Sequence, residues 1–154
     1  MSLAPALLTT ILLAIVAGQT AKVRHVSDGD SFILESGERV RMIGVDAPEL
    51  ADRFGRESKD HLMRMIRNKP VTLERDPLNE DRDRHGRLLR FVDGTDINHK
   101  MIADGYARAL LRYPFARERR EAYREAETKA KMAGLGIWVT EPMSEKSQEP
   151  EVRP

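Results

Sequence analysis

Carboxylates and arginines alternate along one short part of this chain. Asp28-Gly29-Asp30-Ser31 comes first, Arg41 then runs into Asp46-Ala47-Pro48-Glu49, and Arg84-His85-Gly86-Arg87 follows. Oxygen donors of this kind suit a hard cation. A guanidinium fork matches two phosphate oxygens at once, and a carboxylate left over can activate water. Together these are the parts that hydrolysis of a phosphodiester requires, and nothing else in the sequence points as sharply to a chemistry. His25, His61, His85 and His99 show no metal-ligand spacing.

The elements that must position these residues are short. From Lys22 onward, alternating runs lead through Val23 and His25 to a tight Asp28-Gly29-Asp30 turn, and Phe32-Ile33-Leu34 forms a second strand. Ser36-Gly37 signals a hairpin, and Val40–Ile43 forms a third strand, giving an antiparallel meander. Pro48 stops pairing and opens a loop. Phe54–Asn68 has helical spacing with Leu62, Met65 and Ile66 on one face, and Pro70 ends it. Val71-Thr72-Leu73 and Leu88–Val92 are the fourth and fifth strands, with a highly charged loop, Asp76–Arg87, between them. Ile97–Asp104 is a short helix stopped by Gly105, Tyr106–Leu111 runs extended, and Ala116–Ala133 is the longest helix, ended by Gly134 and Gly136. Ile137-Trp138-Val139 packs back on the core. The count fits an α+β fold: a five-stranded OB-type β-barrel with three helices.

At 154 residues the chain is sized for one domain with a real core. Net charge is only +1 although 33% of residues are charged, so the average does not mark a nucleic-acid binder. The placement is uneven, however. Arg108–Arg124 is rich in arginine, while the residues after Thr140 carry more Glu than Lys and Arg, so a basic face can exist without a basic average. A solvated helix surface accounts for most of those arginines equally well. With no cysteine, disulfides, zinc-thiolate sites, iron–sulfur clusters, a thiol nucleophile and a lipoprotein-type anchor are all excluded.

Leu3–Gly18 is almost wholly apolar and uncharged, with small residues at Ala17, Gly18 and Ala21. It reads as the hydrophobic region of a secretory signal or a short signal-anchor, although no Lys or Arg precedes it. The expected organisation is a signal peptide or signal-anchor over residues 1–21, a catalytic domain over 22–140 and a disordered tail over 141–154. The protein is expected to be secreted or periplasmic, or tethered to a membrane through residues 3–18 and facing outward. Nothing marks an oligomer interface or a protein partner, so a monomer is expected.

The ordered set Val26–Ser31, Val40–Glu49, Asp83–Arg87 and Gly134-Leu135-Gly136-Ile137-Trp138 resembles the staphylococcal nuclease (thermonuclease) family, from about Lys22 to Trp138. A lone Asp-Gly-Asp is a common turn; the ordered set with its spacing is specific. The resemblance implies a calcium-dependent nuclease acting on DNA and RNA and releasing 5′-hydroxyl and 3′-phosphate products. It implies that Asp30 and Asp46 bind Ca2+ with the backbone carbonyl of Ala47, and that Glu49 is the general base. It also implies that Arg41 and Arg87 bind the scissile phosphate and stabilise its developing charge. Ala47 and Ser31 stand where threonine is common, His85 where tyrosine is frequent, and Leu111 near the place of a second nucleotide-stacking tyrosine. These departures bear on substrate affinity and base preference rather than on reaction type.

Taken residue by residue, Asp28 reads as turn chemistry, since an Asp opening a tight turn bonds its own backbone. Arg41 is equally well an outward residue on a pleated strand, and Arg87 lies where a solvated role is the default. Arg84 and His85 are candidates for substrate contact, as is Tyr113 with Arg112, for which core packing is the alternative. The rival function is a non-catalytic nucleic-acid-binding module on the same fold. Such a module would have no need of the intact set Asp30, Arg41, Asp46, Glu49 and Arg87.

Overall fold

In the computed structural model, residues 18–93 and 96–139 are described. Residues 1–17 of the expected leader (1–21) and the whole of the expected tail (141–154) lie outside them. β1 (Gln19–Val26), β2 (Ser31–Leu34) and β3 (Arg39–Met42) form the antiparallel meander expected from their turns. β5 (Pro70–Glu74) and β6 (Leu88–Asp93) complete a closed barrel in the order β1-β2-β3-β6-β5, with β5 pairing back to β1. A separate two-stranded ladder joins β4 (Val45–Asp46) to β7 (Arg108–Ala109). The helices are α1 (Gly55–Ile66), α2 (Ile97–Ala103) and α3 (Arg117–Met132), with a 3₁₀ turn at Gly136–Trp138. The α+β barrel with three helices is therefore the fold observed.

Period-two alternation fills the barrel: Phe32, Leu34, Val40, Met42, Val71 and Leu73 are all buried. α1 contributes Leu62 and Ile66, and α2 contributes Met101 and Ile102. On α3 the buried face is Tyr123, Ala126 and Ala130; the small residues let the helix approach closely.

Two features were not visible in the sequence. β1 begins at Gln19, upstream of Lys22, and Gln19, Thr20 and Ala21 pair with Leu73, Thr72 and Val71. β3 and β6 run parallel, with Val40, Arg41 and Met42 aligned on Leu88, Leu89 and Arg90. That register decides where the site forms.

Candidate active site

Paired residues on neighbouring strands share a face of the sheet, and residues two apart on one strand do too. Val40 and Leu88 point into the barrel, so Arg41, its partner Leu89, and Arg87 lie on the other face. Arginines 46 positions apart in the sequence thus converge on one open groove of about 1130 Å³. Asp46, Arg84, His85 and Tyr113 line the same groove.

Arg41 is more than a strand residue facing solvent. Its Nη2 lies 3.1 Å from Asp30 Oδ2 and 3.6 Å from Asp46 Oδ1. Its Nη1 donates to the carbonyls of Val45 at 2.6 Å and Met42 at 3.0 Å. The arm therefore grips the turn at Gly44, where φ is +74° and a Cβ would meet the Tyr123 and Phe115 rings at 2.8 and 2.9 Å. Only glycine closes that turn against α3.

Asp30 is buried at 6% exposure and its oxygens are occupied. Oδ1 accepts from the Ser31 hydroxyl at 2.8 Å, and Oδ2 accepts from the Ala47 N–H at 2.9 Å. Burial pushes its pKa up to about 7; Asp28 pushes the same way, while Arg41 and the Ala47 N–H oppose both. Asp28 accepts the Asp30 N–H at 2.9 Å, as turn chemistry requires. Asp46 is exposed.

The loop before β6 is closed on itself by Asp83. Its Oδ2 takes Arg87 Nε at 2.7 Å, and Oδ1 takes the N–H groups of His85 and Arg87 at 2.9 and 3.0 Å. Burial raises the Asp83 pKa, but these three donors outweigh it and hold the carboxyl below its ordinary range. Arg84 Nε donates to His85 Nε2 at 3.1 Å, and both side chains are exposed. Tyr113 is half-exposed, with the Arg112 guanidinium 4.9 Å from its ring centre, so it borders the groove and does not fill the core. Leu111 packs against the core, and Leu110 lines the groove in its place.

Glu49 stands apart. It is exposed on the turn after β4, its carbonyl accepting Asp52 N–H at 2.9 Å, and its side chain has no partner among the described residues. A Cβ on Gly55 would collide with that carbonyl, so the Glu49 turn is seated directly on the start of α1. The structure thus brings Asp30, Arg41, Asp46 and Arg87 together and leaves Glu49 three residues beyond Asp46, its carboxylate unpaired among the described residues.

Among the described residues, no three His, Cys, Asp or Glu side chains gather as a metal cluster. The candidate donors are two carboxylates and the Ala47 carbonyl, all oxygen. One guanidinium nitrogen already contacts both Asp30 and Asp46, so a single cation can be shared between them. Calcium accepts carbonyl and water oxygens in a coordination shell of six to eight. The residues present fit it. Sequence reasoning missed Arg75 and Arg82, which line the groove together with Arg112, the expected companion of Tyr113. With them the lining carries six arginines (41, 75, 82, 84, 87 and 112) against three carboxylates (Asp46, Glu80 and Asp83).

The sequence model described as Staphylococcal nuclease homologue matches residues 39–140. The chain belongs to the staphylococcal nuclease family. Within that family it is 34% identical over 134 residues to a thermonuclease of Staphylococcus intermedius, covering 80% of this chain and 78% of that protein. An uncharacterized endonuclease of Haemophilus influenzae is 33% identical over 135 residues, covering 84% and 71%. A probable staphylococcal-like nuclease of Oryza sativa subsp. japonica is 31% identical over 122 residues, covering 78% of this chain and 30% of that longer protein. The family match contains every candidate site residue except Asp30, which precedes it.

Proposed function

We propose that this member of the staphylococcal nuclease family is a calcium-dependent nuclease that hydrolyses phosphodiester bonds of DNA and RNA, leaving 5′-hydroxyl and 3′-phosphate ends. The observation that carries the reading is Arg41, which bridges Asp30 and Asp46 while lining the groove that also receives Arg87. Asp30, Asp46 and the Ala47 carbonyl would hold the cation. When bound, calcium supplies positive charge beside the phosphate and a site for its water.

The rest of the chemistry falls to side chains. Glu49, with no ion-pair partner among the described residues, orients a water and accepts its proton as the water oxygen attacks phosphorus. The bond from phosphorus to the 5′ oxygen breaks, and that oxygen takes a proton from solvent. Arg41 and Arg87 donate to the phosphate oxygens as charge builds on them, typically the largest catalytic contribution. Arg84, His85 and Tyr113 contact the flanking nucleotides. We place export or outward tethering in the apolar segment 3–18, with the nuclease domain following it and residues 141–154 as a tail.

Cleavage of single-stranded DNA and RNA should require added calcium and vanish with chelator. Glu49→Gln should lower kcat by about 10²- to 10⁴-fold, with an unchanged circular dichroism spectrum. Equal turnover of variant and wild type would remove Glu49 from the mechanism. No cleavage with calcium present would overturn the reading itself.

A further inference from the structure

The parallel register that unites Arg41 and Arg87 has a second consequence. Because Val40 lies beside Leu88, the residues entering β3 must lie beside the residues entering β6. Those neighbours are not idle. Arg82 forms a two-pronged pair with Glu38, Nη1 to Oε2 at 2.8 Å and Nη2 to Oε1 at 3.1 Å. The same Nη1 donates to the Gly86 carbonyl at 3.0 Å. Arg39 Nη2 donates to the His85 carbonyl at 2.6 Å. Glu38 and Arg39, where the hairpin turn enters β3, therefore hold the loop of residues 82–87 at two residues, Arg82 and His85, while the Arg82–Gly86 bond and Asp83 close that loop on itself.

We propose that Glu38 and Arg39 are positioning residues for the reaction: by clamping the 82–87 loop they fix Arg87 opposite Arg41 across the groove. The proposal rests on the nuclease reading above. Glu38 and Arg82 are largely solvent-exposed, and exposed ion pairs contribute little to stability. A two-pronged arginine–carboxylate pair is nevertheless geometrically exacting. Phosphate stabilisation depends on placement to a fraction of an ångström, where small displacements cost rate far more than they cost fold. A clamp of this kind should therefore be quiet in melting and loud in turnover.

The test uses the full chain carrying Glu38→Gln, with Glu35→Gln as the control. Glu35 lies on the same turn, so its variant removes the same charge without touching the clamp. Turnover of a short single-stranded oligonucleotide, melting temperature, and amide hydrogen exchange of His85 and Arg87 are measured for each. Glu38→Gln should lower kcat by roughly 10-fold or more with little change in KM. It should leave the melting temperature nearly unchanged and speed exchange of the two amides that Asp83 accepts. Glu35→Gln should match wild type in all three, and the charge-swapped pair Glu38→Arg with Arg82→Glu should recover kcat relative to Glu38→Arg alone. Equal losses in both glutamine variants, or unchanged exchange in Glu38→Gln, would overturn the clamp. Absence of any cleavage by wild type would instead overturn the nuclease reading, and the exchange measurement would still decide the clamp.

Discussion

Asp30 and Asp46 share one guanidinium, yet one is buried and the other exposed. Asp30's raised pKa carries a sign. Between its ordinary value of 3.8 and about 7, the folded state holds a proton that the unfolded chain has lost. The stability this gives is complete below about pH 4 and is lost as pH rises through 7. In chelator, the melting temperature should fall from pH 5 to pH 8 more steeply for wild type than for Asp30→Asn. His61 works in the opposite sense, since burial lowers its pKa against the pull of Asp104 and its contribution is lost as pH falls below the ordinary histidine value of 6.5. The difference between wild type and variant isolates Asp30. Calcium binding needs the carboxylate ionised, so calcium should raise the wild-type melting temperature more at pH 8 than at pH 5. A calcium effect that ignores pH, or survives Asp30→Asn, would remove Asp30 from the ligand set. Arg41→Lys should lower kcat/KM by roughly 10²-fold or more, because lysine cannot span two carboxylates and two carbonyls as a planar fork does; a change under threefold would count against that role. These residues were legible in the sequence because their chemistry is written in their side chains. Asp83 was not, because its role depends on a loop closing on itself.

The elements make a different demand: strands distant in sequence must meet in one register. The meander and the helices could be read from alternation, turn residues and helical spacing. The parallel β3–β6 pairing could not, since no local signal marks which strand closes a barrel. Nor could the β4–β7 ladder, only two residues long on each side. Asn98 holds this junction. It is wholly buried on α2; its Oδ1 accepts the Val92 N–H at 2.8 Å, and its Nδ2 donates to the Ile43 carbonyl at 2.9 Å. One side chain thereby ties α2 to β6 and to the end of β3, beside the turn that Arg41 grips. Asn98→Ala should cost about 2–4 kcal/mol, since it strands buried backbone groups without partners. Urea denaturation would show this as a lower midpoint with an unchanged slope, and a loss below about 1 kcal/mol would mean that water or neighbours replace the amide.

For the whole molecule, a net charge of +1 conceals a groove with twice as many arginines as carboxylates. Binding of single-stranded nucleic acid should therefore depend on salt although the chain is nearly neutral. Two or three phosphate contacts predict that a fourfold rise in salt weakens binding about tenfold, measured by fluorescence anisotropy in calcium with Glu49→Gln; salt-independent binding would move the substrate off the groove. The barrel as a whole also constrains the N-terminus. Three of the four residue pairs joining β1 to β5 belong to Gln19, Thr20 and Ala21, and Gly18 sits so close to Thr72 that a Cβ would collide with it. A chain starting at Lys22 keeps the motifs but opens that seam of the barrel. Its melting temperature should fall by on the order of 5–10 °C relative to a chain starting at Gly18. Equal melting of the two would show that the seam contributes nothing. If the apolar segment is a leader that is removed, cleavage after Ala17 leaves β1 complete, whereas cleavage after Ala21 does not. Mass spectrometry of the mature protein should therefore find its first residue at or before Gln19.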